Sequence, residues 1–282
     1  MSSQLDHGAA TPAQIGGLAA LTSGAPDAPP VLLVPGYTGT KEDFAPILDS
    51  VAAAGFRAVA IDLPGQYQSP GPDDPSQYAT LALGARVREV AADLGPHVQL
   101  LGHSFGGLVS RAAVIAAPEQ FNSLVLMDSG PAALGGDRAA LIEAMEPLLG
   151  SVGVAGVYDA VQALYESAPD YVAPPPEVAA LLRERFLAGS AAMLAGMGLA
   201  LRTEPDRVDE LRSLDLPTLV IYGVDDDAWP PAVQDEMAAR LGAEVVRVPA
   251  AIHSPAIENP TPTAAALISF WLNVRERATL ES

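Results

Sequence analysis

Six short apolar runs, separated by longer stretches with helical patterning, restrict this chain to a layered α/β architecture. They cover residues 31–34, 57–61, 98–101, 123–127, 218–222 and 244–248. Most are continuous or nearly continuous, as strands covered on both faces are. The intervening segments are long enough for crossover helices, which predicts a mostly parallel, twisted sheet flanked by helices. Thr40 can cap a helix over residues 41–54, with Phe44, Ile47, Leu48 and Val51 on one face and Gly55 ending it. Asn259 and Pro260 read as the N-cap and first residue of a terminal helix carrying Leu267, Phe270 and Trp271. A chain of 282 residues that is 49% hydrophobic can bury the core such a sheet needs.

The alternation stops between Pro131 and Ser213. Helical patterns there are broken by Gly150, Pro169, the Pro174-Pro175-Pro176 run and Pro205. Roughly 80 residues is too much for an ordinary crossover. Residues 131–213 are therefore expected to form a helical cap, inserted into a core domain made of residues 1–130 and 214–282.

Composition removes several chemistries. The chain has no cysteine, which excludes disulfides, thiolate metal sites and cysteine nucleophiles. Its only lysine, Lys41, is not followed by the Ser or Thr of a phosphate loop, so neither Schiff-base nor Walker-type chemistry is expected. With 34 acidic against 15 basic side chains, the formal charge is −19. Such a surface repels phosphate backbones and anionic membranes, so neither nucleic acid nor a membrane is an expected partner. Residues 1–21 lack the basic start and apolar stretch of a signal peptide, and no apolar run reaches the ~18 residues of a membrane span. A soluble, cytoplasmic protein is expected.

The remaining nucleophiles include serine, and one stands in a specific setting. Gly102-His103-Ser104-Phe105-Gly106 directly follows the 98–101 run and precedes a helical stretch. Gly-x-Ser-x-Gly at a strand-to-helix junction is a nucleophile elbow, whose glycines permit a strained turn that lifts the hydroxyl above the sheet. A serine needs a base, and there are four histidines. His7 lies in the opening segment, His97 precedes a strand, and His103 sits inside the elbow. His253, in the loop after the last apolar run, is left. An orienting carboxylate can come from Asp225-Asp226-Asp227, after the 218–222 run, although three adjacent aspartates also suit a solvated turn or a cation site.

These segments together resemble the α/β-hydrolase fold, esterase type, over most of the chain. Leu32-Leu-Val-Pro-Gly-Tyr-Thr-Gly39 resembles that family's oxyanion-loop strand, and Ala60-Ile-Asp-Leu-Pro-Gly65 its next strand and turn. The stretch from Leu216 to Pro230 resembles the acid strand, and His253-Ser-Pro-Ala-Ile-Glu-Asn-Pro260 the histidine segment. The chain order Ser, Asp, His agrees.

The resemblance implies a triad of Ser104, Asp226 and His253. It also implies an oxyanion hole from the main-chain N–H groups of Tyr37 and Phe105, and a helical cap in the 131–213 insertion. Some relatives carry the acid after the preceding strand, which would make it Asp128. Glu258 reads as a charge near a helix start. Two departures are visible. Pro35 replaces a common His, and Gly65-Gln66-Tyr67-Gln68-Ser69 replaces a common Gly-His-Gly-x-Ser. Both are expected to alter the pocket rim.

The implied reaction is ester hydrolysis through an acyl-enzyme, with no metal or organic cofactor. The same triad serves thioesters, lactones, carbon–carbon bond hydrolysis and cofactor-free perhydrolysis, and the fold also occurs in non-catalytic ligand-binding proteins. The partner is a small molecule with an apolar portion. Tyr37, Phe105, Met193 and Met197 are candidates to touch it, with Met145, Leu194 and Leu199 nearby. Ordinary helix core is the competing reading for the methionines.

Overall fold

The computed structural model describes residues 4–169 and 171–281. The first three residues of the opening segment, Asp170 in the insertion, and Ser282 lie outside the described residues.

Eight strands form one sheet: β1 (Thr11–Ile15), β2 (Leu18–Ser23), β3 (Pro30–Val34), β4 (Arg57–Ile61), β5 (Val98–His103), β6 (Phe121–Met127), β7 (Thr218–Gly223) and β8 (Glu244–Val248). Their order is β1-β2-β4-β3-β5-β6-β7-β8. From β4 to β8 every neighbouring pair is parallel, and the six expected strands are all there. The α/β-hydrolase fold expectation is met.

The sheet also carries an antiparallel hairpin, β1–β2, that the apolar runs do not announce. Its turn is Gly16-Gly17, with both residues at positive φ (59° and 75°), the backbone a two-residue hairpin requires.

The helices are α1 (Ala45–Ala53), α2 (Thr80–Leu94), α3 (Phe105–Ala116), α4 (Gly136–Glu166), α5 (Pro176–Ala188), α6 (Ala191–Thr203), α7 (Val208–Arg212), α8 (Pro231–Leu241), α9 (Pro255–Glu258) and α10 (Pro260–Glu281). Strand side chains alternate between two cores. Leu32 and Val34 face a cluster with Leu83 and Val87 of α2 and Leu108 and Val109 of α3. Val31 and Leu33 face Ile47 and Val51 of α1 and Phe270 and Trp271 of α10. Burying apolar side chains on both faces explains the unbroken runs in the central strands.

The helix expected over 41–54 is split into a 3-10 turn at Lys41–Phe44 and then α1. Pro46 explains this: it has no N–H to bond back four residues, but is tolerated in the first turn of a helix starting at Ala45. The turn is anchored instead by Lys41, which is 2% exposed and pairs with Asp62 at 2.9 Å and Glu42 at 2.8 Å.

The insertion between β6 and β7 is helical, comprising α4 to α7. Its first break is not at Gly150, which lies within α4, but at Gly153, whose backbone is non-helical (φ 68°, ψ −177°). Left-handed geometry of that kind is open to glycine at little cost. Among the described residues, α4 is the one single helix long and apolar enough to cross a membrane, although Pro147 and Gly153 interrupt it. Its longest uncharged stretch lies between Glu146 and Asp159, so no apolar run of the length expected for a span is present in it.

Both ends of the insertion are clasped to the elbow helix. Arg111 of α3, 1% exposed, pairs with Glu204 at 2.9 Å and donates to the carbonyls of Pro131 and Pro205. Thr80 donates to the other Glu204 oxygen at 2.7 Å.

Candidate active site

Ser104 stands between β5 and α3 with φ 54° and ψ −121°. A serine at positive φ is strained, and strain of this kind is held by its surroundings. Here two glycines make the turn possible. A Cβ on Gly102 would stand 2.2 Å from the Gly106 carbonyl oxygen, and one on Gly106 would stand 2.4 Å from that of Val34. The Ser104 N–H donates to the Met127 carbonyl at 2.8 Å, and the Ser129 hydroxyl donates to the Ser104 carbonyl at 2.8 Å.

Three loops at the C-terminal edge of the sheet bring the predicted side chains together. His253 Nε2 lies 3.0 Å from Ser104 Oγ, and His253 Nδ1 lies 2.8 Å from Asp226 Oδ1. Assigning hydrogens from this network, Nδ1–H donates to the carboxylate and the serine hydroxyl donates to Nε2. Asp226 Oδ1 also accepts the Ala228 N–H at 2.9 Å, and Oδ2 accepts the Gln234 side-chain amide at 2.7 Å. Asp225 and Asp227 are exposed, and Asp227 pairs with Arg138. Of the three aspartates, only Asp226 touches the imidazole.

His253 is fixed from two sides. Glu258, at the end of α9, accepts the N–H groups of Ile252 at 2.7 Å and Ser254 at 3.0 Å, the residues flanking His253. It therefore does more than sit near a helix start. His103 Nε2 donates to the His253 carbonyl at 2.6 Å. Burial, reinforced by the neighbouring His253, lowers the His103 pKa to about 4, so its ring is neutral at pH 7. His7 and His97 take no part in the cluster.

Asp128 is fully buried at the end of β6, with φ 46° and one oxygen accepting the Gly223 N–H at 2.9 Å. Burial, then the charge of Asp226, pushes its carboxyl well above the ordinary range. Asp128, Asp226 and His253 place ligand-capable atoms within 4.8 Å of one another, the one such group among the described residues. Both His253 nitrogens already face partners, Asp226 and Ser104.

The oxyanion-loop residue Gly36 abuts the serine: a Cβ there would stand 3.1 Å from Ser104 Cβ. The main-chain N–H groups of Tyr37 and Phe105 donate to no acceptor among the described residues. The Tyr37 hydroxyl donates to the Leu194 carbonyl of α6 at 2.8 Å, and burial raises its pKa. Two clefts flank this contact. One, a shallow and narrow one, is lined by Thr38, Gln66, Tyr67, Phe186, Met193 and Leu194, among others. The other is closed to a molecule the size of water and is lined by Tyr37, Ile142, Met145, Leu149, Leu194 and Leu199, among others. Met197 is fully buried and lines neither, and Phe105 is fully buried in the core.

The chain matches the alpha/beta hydrolase family over residues 31–266. It belongs to that family. This hydrolase is 33% identical to the pimeloyl-[acyl-carrier protein] methyl ester esterase of Aeromonas hydrophila subsp. hydrophila over 218 residues, 74% of this chain and 82% of that protein. Among solved structures it resembles the enol-lactonase of Burkholderia xenovorans LB400, with TM-score 0.78 and 23% identity, covering 93% of this chain and 100% of that one. It also resembles a hydrolase from Pseudomonas aeruginosa PA01, with TM-score 0.75 and 26% identity, covering 94% and 98% respectively. At 23% identity the first likeness speaks for the fold alone.

Sequence reasoning placed Gln66 at the pocket rim, where it does line a cleft, but missed its bonds to the loop after β3, and missed Gln234 and the bond from His103 to the His253 loop. Gln234 belongs to no motif with chemistry of its own. His103 was visible inside the elbow, but its bond to a loop 150 residues away was not.

Proposed function

We propose that this hydrolase cleaves carboxylic esters of small molecules through an acyl-enzyme on Ser104. The observation that carries the reading is the continuous chain from Ser104 Oγ through His253 to Asp226, at 3.0 and 2.8 Å. His253 takes the Ser104 proton as the oxygen attacks the ester carbonyl. Asp226 holds the imidazole in the tautomer with Nδ1–H and stabilises the imidazolium. The N–H groups of Tyr37 and Phe105 receive the negative oxygen of the tetrahedral intermediate. His253 then returns the proton to the departing alcohol, and later activates a water that releases the acid.

Residues 131–213 act as a cap over a core of residues 1–130 and 214–282. Met193 and Leu194 line the cleft beside the oxyanion loop, which suits an ester with a largely apolar acyl portion. Similarity to a methyl ester esterase supports an ester over the other bonds this triad can cleave. The reading needs neither a metal nor an organic cofactor. A cytoplasmic site of action is part of the proposal.

The test is burst kinetics with p-nitrophenyl esters of increasing chain length. Wild type should show a burst followed by steady turnover, and Ser104→Ala should lose about 10⁴-fold or more of it. A Ser104→Ala enzyme that keeps most of its turnover would overturn the assignment.

A further inference from the structure

We propose that Gln66 is a positioning residue for the oxyanion hole: by gripping the Gly36 carbonyl, its side-chain amide sets the direction of the Tyr37 N–H. The inference rests on the reading of that N–H as an oxyanion donor.

Gln66 lies in the turn after β4, is 2% exposed, and lines the cleft beside the loop while its amide is buried against main chain. Its Oε1 accepts the Leu63 N–H at 2.8 Å, so its NH₂ must face the other way. There it donates to the Gly36 carbonyl at 2.7 Å and to the Tyr37 carbonyl at 3.2 Å. Among the described residues this side chain thus bonds to main chain of its own turn and of the oxyanion loop.

The consequence follows from peptide planarity. The Gly36 C=O and the Tyr37 N–H belong to one rigid unit and point to opposite sides of it. Fixing the oxygen therefore aims the hydrogen. The Gly39 N–H also reaches the Gly36 oxygen, at 3.2 Å, and the Gln66 bond to the Tyr37 carbonyl fixes the next plane.

The loop needs such a grip because Gly36 and Gly39 bracket it, and glycine restrains its own backbone least. A side chain at Gly36 would stand 3.1 Å from Ser104 Cβ and crowd the serine. An oxyanion donor lowers the barrier only if it is aimed before charge develops. A flexible loop therefore needs an anchor outside itself, and Gln66 is placed to be that anchor.

The test compares wild type with Gln66→Met, which keeps the length and removes the donors, and Gln66→Glu, which turns an acceptor toward the two carbonyls. Two quantities are read: kcat and KM for p-nitrophenyl butyrate, and the inhibition constant of a trifluoromethyl ketone with a matching chain, whose hemiketal on Ser104 carries the oxyanion. Both variants should lose about 10- to 100-fold in kcat, with ketone affinity falling in parallel. KM should stay within about threefold, because the ground-state ester does not depend on the aimed N–H.

Unchanged kcat and ketone affinity, or a loss confined to KM, would overturn the proposal. Near-UV circular dichroism identifies variants that keep the fold. Gln66→Glu, of the same length as glutamine, carries the comparison if Gln66→Met does not fold. A wild-type enzyme that binds no ketone, or turns over without Ser104, would sink the serine-hydrolase reading itself. Tight ketone binding to wild type and variants alike sinks only the role of Gln66.

Discussion

Gln234 donates its side-chain amide to Asp226 Oδ2 at 2.7 Å and to the Trp229 carbonyl at 2.8 Å, from a fully buried position on α8. One side chain thereby ties the carboxylate to the loop that carries it. Gln234→Leu leaves a buried carboxylate oxygen short of a partner, which costs roughly 1.5–3 kcal/mol for a charged acceptor. A loss of about tenfold in kcat/KM is expected, because the carboxylate loses a contact that holds it against the imidazole. Ester kinetics check it, and unchanged kcat/KM would reduce Gln234 to packing.

The two carboxyls near His253 should behave differently. Asp226→Asn removes the charge that orients the imidazole and should lower kcat by about 10⁴-fold. Asp128→Asn resembles the uncharged carboxyl that burial favours, and can still accept the Gly223 N–H. It should change kcat by less than about threefold. The reverse pattern would move the acid role to Asp128.

His103 makes stability depend on pH. Its folded-state pKa, about 4, lies below the ordinary 6.5. Between those values the unfolded chain binds a proton that the folded protein refuses, so stability rises with pH there. The contribution is fully present above pH 6.5 and lost progressively as pH falls to 4. By linkage it amounts to about 3 kcal/mol. Urea midpoints between pH 7.5 and 4.5 should fall more steeply for wild type than for His103→Gln, and equal slopes would refute this.

The clasp at the base of the insertion is a stability element. Glu204→Ala strands Arg111, which is 1% exposed, without its carboxylate. Breaking a buried pair on one side costs about 3–5 kcal/mol, enough to lower the thermal midpoint clearly. Arg277, which lies 3.9 Å from Glu244 in an exposed pair, provides the contrast: Arg277→Ala should change stability by less than about 1 kcal/mol. Differential scanning calorimetry of both variants measures the difference.

What the sequence revealed follows from where its signals are local. The parallel strands were legible because burial on both faces leaves unbroken apolar runs, as in Val31 to Val34. The chain order of the proposed triad could be read because each candidate follows a strand, Ser104 after β5, Asp226 after β7 and His253 after β8. The β1–β2 hairpin was missed, although Gly16-Gly17 between two short runs is a hairpin signal. Thr11 to Ile15 is partly exposed and contains a proline, which masks the strand pattern. The break in α4 fell at Gly153 and not at Gly150 because two glycines three residues apart offer equal freedom, and the sequence does not say which one takes the bend. Gln66 acts on main chain some 30 residues away, and Gln234 turns back from α8 onto the preceding loop, and neither contact leaves a trace in residue spacing.

Lys41, the chain's sole lysine, is sealed between Glu42 and Asp62 at the foot of the oxyanion loop. The outer surface therefore offers no side-chain amine. Succinimidyl dyes, glutaraldehyde and isopeptide-linked protein tags find no lysine on the folded molecule. Immobilisation or labelling through side chains is better directed at the abundant carboxylates. An amine reagent that modifies Lys41 thus reports opening of the fold around the oxyanion loop.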